Sequence, residues 1–233
     1  GPYFRLRVRA PLIAPRVQPG QFVHVRILPL KHALLRRPFS VFQVAGDTLS
    51  LLYKTIGQGT EALARMRPGE ELSLLGPLGH GFTVPRPDGE IPLLVAGGYG
   101  MAALYLLAQR SPRKGLVFVG GRQRADILCE AEFRALGWEV RVTTEDGSHG
   151  EKGVVTEPLR AELQRRAPAG QVVLQGLQHQ RAAVARAAAA QLVGREPHGT
   201  QDAVVERAPG VVRAHVAGEG KAQIGDVIAR ARA

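Results

Sequence analysis

A single cysteine in 233 residues, Cys129, excludes an intrachain disulfide and any cysteine-rich metal site. No apolar run approaches the roughly 20 residues that a membrane span needs. No basic stretch followed by an apolar core opens the chain, so the expected compartment is the cytoplasm and no membrane contact is expected. The first residues are Gly1-Pro2 with no initiator Met, as in a trimmed or tagged N-terminus. Aromatic residues are scarce, at 5%, and they do not interleave with basic ones, so no stacking platform for single-stranded nucleic acid is visible. Acidic residues are also few, 20 against 31 Lys and Arg, which leaves a net charge of +11. The arginines are dispersed. Their nearest approach to a cluster, Arg5-Leu6-Arg7-Val8-Arg9, alternates as the polar face of a strand. The charge therefore reads as a basic surface that attracts anionic cofactors and partners, and no nucleic acid partner is expected.

The punctuation of the chain indicates two domains of different type. From Tyr3 to Leu75, short alternating segments such as Gln21 to Ile27 and Thr48 to Tyr53 are separated by Pro, Gly and Asp turns. That pattern predicts an antiparallel β-barrel with one short helix at Glu61 to Met66, for which Thr60 is the expected N-cap. Pro85-Arg86-Pro87-Asp88-Gly89 marks a boundary. Beyond it, expected strands at Ile91 to Ala96, Gly115 to Val119, Trp138 to Thr143 and Gln171 to Leu174 alternate with expected helices. The helices fall at Met101 to Gln109, Ala131 to Leu136, Thr156 to Arg166 and Arg181 to Leu192. Such alternation implies a parallel, Rossmann-like α/β sheet. The boundaries expected are 1–88 for the barrel, 89–193 for the α/β domain and 194–233 for a short C-terminal tail.

Three segments of the barrel are chemically suited to a dinucleotide. Arg37-Pro38-Phe39-Ser40 supplies a guanidinium fork for a pyrophosphate and a hydroxyl for a ring nitrogen. Leu52-Tyr53-Lys54 lies a strand later, and Gly57-Gln58-Gly59-Thr60 lets bare backbone N–H groups approach phosphate oxygens at a helix start. In the second domain, Leu93-Leu94-Val95-Ala96 runs into Gly97-Gly98-Tyr99-Gly100 and directly into a helix. A strand, a glycine turn and a helix can seat a second pyrophosphate, although Ala103 stands where the last glycine of the full fingerprint belongs. Asp146, in Thr144-Glu145-Asp146-Gly147-Ser148-His149-Gly150, suits either a ribose hydroxyl or the Asp-Gly turn itself. Cys129, beside Leu128 and near Phe133, reads as a small core thiol. His198 and His215 read as surface residues, because no Asp, Glu or Cys completes a metal-ligand spacing with them.

The Arg-x-aromatic-Ser segment and the later Gly-x-Gly-Thr turn resemble the ferredoxin reductase superfamily. Within it, the chain is similar to the electron-transfer subunits of bacterial NAD-dependent dihydroorotate dehydrogenase. The likeness includes Pro19-Gly20-Gln21-Phe22-Val23, Leu75 to Phe82, Val95 to Gly100 and Thr144 to Gly150, and thins after Leu174. The resemblance implies an FAD-binding barrel, an NAD(H)-binding α/β domain and a hetero-oligomer with a dihydroorotate dehydrogenase catalytic subunit serving pyrimidine biosynthesis. It makes Ser40 the contact to flavin N5, where hydride arrives. It gives FAD the residues Arg37, Pro38, Phe39, Ser40, Leu52, Tyr53, Lys54, Gly57, Gly59 and Thr60. It gives the nicotinamide nucleotide Gly97, Gly98, Gly100 and Asp146.

Two departures from that family are visible. Gln175-Gly176-Leu177 stands where relatives carry Cys-Gly-Pro beside the nicotinamide. The family's four cysteine ligands for a two-iron, two-sulfur cluster are absent: Ala203-Val204-Val205 stands where Cys-Val-Val is expected, and no thiolate remains in the tail. No metal and no iron–sulfur cluster are therefore expected, whether the chain is a diverged relative or its tail differs from the native one. Two alternatives to an active subunit stay open: a non-catalytic FAD-binding partner subunit, and a stand-alone NAD(P)H:flavin reductase.

Overall fold

The computed structural model describes residues 3–27, 35–88 and 91–166, together with the backbone of three strands at 172–176, 214–216 and 226–232. The helix expected at Arg181 to Leu192, Leu177, His198 and Ala203 to Val205 lie outside the described residues, as does the side chain of His215.

Five strands of the first unit follow the expected alternation: β1 (Tyr3–Arg9), β2 (Phe22–Arg26), β3 (Arg37–Ala45), β4 (Thr48–Lys54) and β5 (Glu71–Leu78). Successive strand residues point to opposite faces, so Leu6, Val8, Val23, Val25, Leu49, Leu51 and Leu72 fill the interior while Arg7 and Arg9 stay exposed. Each fully buried aliphatic side chain contributes about 1.5–3 kcal/mol. β3 and β4 form a hairpin through Gly46-Asp47, and Gly46 takes φ +58° as a tight two-residue turn requires. The barrel is closed, in the order β1-β12-β5-β2-β3-β4, where β12 is Asp226–Arg232. It departs from a purely antiparallel barrel at one place, since β12 runs parallel to both β1 and β5.

The second unit is a six-stranded parallel sheet. Its strands are β6 (Ile91–Gly97), β7 (Leu116–Gly121), β8 (Glu139–Thr144), β9 (Glu151–Lys152), β10 (Val172–Gly176) and β11 (Ala214–Val216). They are ordered β11-β10-β6-β7-β8-β9. Leu93, Val95, Leu116 and Phe118 face one side with Val155, Leu159 and Leu163, the last two on helix α4 (Thr156–Arg166). Leu94, Ala96, Val117 and Val119 face the other, against α2 (Met101–Arg110) and Phe133 of α3 (Glu130–Ala135). A sheet covered on both faces reads as continuous apolar runs, as Leu93-Leu94-Val95-Ala96 does.

Helix α2 joins the two units. Met101 to Ala108 are all buried, because the helix lies between its own sheet and β3 of the barrel. Tyr105 stacks on Phe42 of β3 with ring centroids 4.4 Å apart, and Arg110 Nη1 donates to the Val17 carbonyl at 2.6 Å.

One boundary needs correction. The barrel helix α1 spans Gln58–Ala64, three residues earlier than expected, and its N-cap is Gly57. Thr60 is not the cap but sits one turn inside the helix. Its Oγ1 reaches back to accept from the N–H groups of Ile56 at 2.9 Å and Gly57 at 3.3 Å.

Candidate functional site

The barrel site is built where β3 begins and α1 starts. Arg37 opens β3, and its guanidinium lies directly on the backbone of Gly59. A Cβ at that glycine would stand 2.7 Å from Arg37 Nε and 2.8 Å from Cζ, closer than real contacts allow. Only glycine lets the fork lie there. The first intrahelical bond of α1 runs from Glu61 N to Gly57 O, at 3.0 Å, so the N–H groups of residues 58–60 precede it. A guanidinium and helix-start N–H groups thus converge on one patch.

The other residues expected at this site divide between two faces. Ser40 is half-buried and pairs across to Phe22, and Pro38 is exposed. Phe39 and Tyr53 point into the barrel, where their rings meet edge-on at 5.8 Å, and burial pushes the Tyr53 phenol well above its usual pKa. Leu52 points the opposite way, into the core shared with the α/β unit. Lys54 holds its ammonium 5.7 Å from the Tyr3 ring centroid. Arg37, Gly57, Gly59 and Thr60 therefore come together where β3 begins beside α1, Ser40 lies further along β3, and Phe39 and Tyr53 are buried within the barrel.

Pro19 to Val23 and Leu75 to Phe82 have a structural role that the sequence left unassigned. They lock together beside β3: Phe82 N donates to Pro19 O at 2.7 Å, and Gln21 Nε2 donates to Gly79 O at 2.8 Å. Gly20, at φ +88°, lies against the Phe82 ring, where a Cβ would come within 2.6 Å. Gln21 O also accepts from Val41 N at 3.1 Å, which fixes the strand next to Ser40.

The second candidate site follows from topology. From β6 the chain moves outward to β7 and β8, then returns to place β10 on the other side of β6. Ligands of such sheets bind outside the carboxyl ends of the strands at this switch point. There the structure places Gly97, a 3-10 turn at Gly98–Gly100 with Gly98 at φ +54°, and the end of β10, whose Gly176 pairs with Val95. Gln175, in place of the family's cysteine, lies next to it in β10. The turn packs against β4 of the barrel, and Tyr3 and Leu52 share a buried cluster with Ala96 and Met101, so the turn adjoins the barrel at β1 and β4.

Asp146 lies further along the same edge, after β8. Its Oδ1 accepts from Ser148 N at 2.9 Å and Ser148 Oγ at 2.6 Å, which holds the carboxyl below its usual pKa. Of the two uses open to it, shaping the Asp-Gly turn is present in this geometry. The loop is tied to α3 by His149, whose Nε2 lies 2.7 Å from Glu130 Oε2. Cys129 is buried, and burial pushes its thiol well above the usual range. Among the described residues no group of three or more His, Cys, Asp or Glu could hold a metal ion. No described helix is long and apolar enough to cross a membrane.

No protein-family model matches the chain. It is 40% identical over 159 residues to the dihydroorotate dehydrogenase B (NAD(+)) electron transfer subunit of Desulforamulus reducens, a match covering 66% of this chain and 60% of the relative. The subunit of the same name from Bacillus mycoides is 41% identical over 162 residues, 67% of this chain and 62% of the relative. The chain is a homologue of these electron transfer subunits. It spans about 60% of the length of the curated relatives it matches. Among solved structures it is similar to the NADH-dependent reduced ferredoxin-NADP oxidoreductase, at 25% identity and a TM-score of 0.58 over 72% of this chain and 59% of that one. A ferredoxin NADP+ reductase from Neisseria gonorrhoeae, solved with bound FAD and NADP, matches over 90% of this chain and 87% of its own. Its identity is 15% and its TM-score 0.58. This homologue therefore has the ferredoxin reductase fold, as the resemblance implied.

Proposed function

We propose that the chain binds FAD on the barrel rim and a nicotinamide nucleotide at the carboxyl ends of β6, β7 and β10. In this reading it moves electrons between NADH and a dihydroorotate dehydrogenase catalytic subunit in pyrimidine biosynthesis. The observation that carries the proposal is the Arg37 guanidinium lying on Gly59 at the start of α1, so close that one Cβ there would displace it. Such a guanidinium beside a helix start fits a pyrophosphate, and the packing of the Gly98–Gly100 turn against β4 fits a second dinucleotide bound next to the barrel.

Each residue then has a task. Arg37 neutralises pyrophosphate charge, Gly57, Gly59 and Thr60 bring the backbone to it, and Ser40 orients the flavin ring through its hydroxyl. Phe39, Tyr53 and Leu52 stiffen the strands that present Ser40 and Lys54, and Pro38 leaves the rim open. Gly97, Gly98 and Gly100 let the second pyrophosphate reach the end of β6, while Asp146 holds the loop that flanks its far end. When bound, FAD supplies two-electron acceptance and electron release, and the protein supplies orientation, electrostatics and exclusion of water. The division into a barrel over 1–88, a nucleotide domain over 89–193 and a tail over 194–233 belongs to the same proposal, with the difference that the tail supplies β11 to the parallel sheet and β12 to the barrel. A two-iron cluster takes four protein ligands, and one thiol does not fit it, so no electron step is drawn through such a centre.

Protein reconstituted with FAD should reduce ferricyanide at the expense of NADH, and should elute with a dihydroorotate dehydrogenase catalytic subunit in size-exclusion chromatography. Tight FAD binding with no NADH-dependent ferricyanide reduction would refute the electron-transfer reading in favour of a non-catalytic subunit. Separate elution would refute the partner.

A further inference from the structure

At the proposed nucleotide site, the loop after β7 carries charge that no role above uses. Gly97 at the end of β6 pairs with Gly120 of β7, so the glycine turn after one strand and the loop after the other leave the same edge of the sheet from neighbouring strands. In sheets that bind dinucleotides, the end of that second strand lies about 20 residues beyond the glycine turn. It carries an acidic residue for the ribose 2'-hydroxyl of NAD(H), or an arginine for the 2'-phosphate of NADP(H). Here the loop reads Arg122-Gln123-Arg124. Both arginine side chains are exposed, and neither guanidinium is hydrogen-bonded or paired with a carboxylate among the described residues. The acid that follows, Asp126, is 2% exposed, and its Oδ2 accepts from Arg122 N at 3.1 Å. The backbone of the loop is fixed from two directions. A Cβ at Gly121 would come within 2.8 Å of Asp126 Cβ, so the loop folds closely over the strand end. The loop after β8 clasps it from the other side: Glu145 N donates to Gly121 O and Asp146 N to Arg122 O, both at 3.1 Å, and Arg124 N donates to Ser148 Oγ at 2.7 Å. The exposed acids of this edge, Glu145 and Asp146, stand one strand further from β6, and Asp146 is engaged by Ser148.

We propose that Arg122 and Arg124 form a subsite for the 2'-phosphate of a nicotinamide nucleotide, so that the chain binds NADP(H) more tightly than NAD(H). The inference rests on the nucleotide site proposed above and adds which nucleotide fits it best. A phosphate monoester carries close to two negative charges at neutral pH, and guanidinium forks match its oxygens. A ribose hydroxyl carries no charge, and the one carboxylate of this loop, Asp126, is buried. NADH keeps the contacts at the Gly98–Gly100 turn and so still binds, at higher concentration.

The full chain loaded with FAD is titrated calorimetrically with NADP+ and, separately, with NAD+. In low salt the parent should bind NADP+ about five- to thirtyfold more tightly than NAD+, the value of two exposed charge pairs. That preference should shrink in about 0.5 M NaCl, where screening is strong. Arg122→Gln combined with Arg124→Gln removes both charges but leaves the main-chain bonds of the loop, so NADP+ binding should weaken to the level of NAD+. The parent also allows the comparison without any variant: 2',5'-ADP should bind more tightly than 5'-AMP by a similar factor. NAD+ bound by the parent as tightly as NADP+, or a preference that survives the double substitution, would overturn the subsite alone. A parent that holds FAD and binds neither nucleotide would overturn the nucleotide site itself, and the subsite with it.

Discussion

Gly59→Ala tests the flavin cradle more sharply than any other single change. The added methyl would lie 2.7 Å from Arg37 Nε, 2.8 Å from Cζ and 3.2 Å from Cδ. Ordinary contacts begin near 3.5 Å, so the guanidinium must retreat by roughly 0.7–1 Å. The retreating group is the far end of a flexible side chain, so the fold tolerates it. Alanine also gains up to about 1 kcal/mol over glycine within a helix, so the melting midpoint should hold or rise. Ligand affinity moves the other way. A bidentate guanidinium–phosphate pair needs donor–acceptor distances of about 2.7–2.9 Å, and a shift of this size breaks at least one contact. Losing one charge-assisted hydrogen bond costs about 1.5–3 kcal/mol, or roughly ten- to hundredfold in FAD affinity. The assay is titration of apoprotein with FAD, followed by quenching of flavin fluorescence. Arg37→Ala should lose a similar amount, and the double variant should be no worse than Arg37→Ala alone, because both changes remove the same contact. Additive losses, or FAD affinity within twofold of the parent in either single variant, would refute the reasoning.

Two further outcomes are expected. Gly98→Asn places a side chain at the strand-end turn while keeping a residue that tolerates the φ of +54°, so FAD binding should persist while flavin reduction by NADH is lost; unchanged reduction kinetics would dismiss the turn as the nucleotide site. Glu162, 3% exposed, pairs with Arg141 at 3.2 Å and with Arg165 and Arg166. Burial raises its pKa, but the contacts to Arg165 and Arg166 outweigh that and hold it below the usual value. A depressed folded pKa stabilises above the unfolded one, so Glu162→Gln should lose about 1–3 kcal/mol at pH 7. That deficit should close as the pH falls through the folded pKa, and a deficit independent of pH in denaturant titrations would contradict the assignment.

Much of this architecture was legible because its signals are local. Alternation gave the barrel strands, continuous apolar runs gave the buried parallel strands, and Thr156–Arg166 was delimited as it stands. The start of α1 was not legible, since a threonine hydroxyl serves the same backbone N–H groups from inside the helix as from its cap, and Gly57-Gln58-Gly59-Thr60 permits both. Phe39 alternates regularly with Val41, and Tyr53 with Leu49 and Leu51, but which face of each strand becomes the interior is decided only when the strands pair into the barrel. Arg5 shows the same limit: grouped by spacing with Arg7 and Arg9, it instead covers Phe42 at 5.1 Å and bonds Gln43 where α2 meets the barrel. The approach of Arg37 to Gly59 is a tertiary fact: the two residues are separated by whole strands, and no local pattern encodes it.

The central claim, that this chain carries electrons from a nicotinamide nucleotide to a flavin across the seam between its two units, is tested most directly by anaerobic stopped-flow mixing of FAD-loaded protein with NADH. The account predicts loss of the flavin's visible absorbance at a rate that rises with NADH and then saturates, as binding at the Gly98–Gly100 turn precedes transfer. An FAD-saturated protein that stays yellow at every NADH concentration would contradict it.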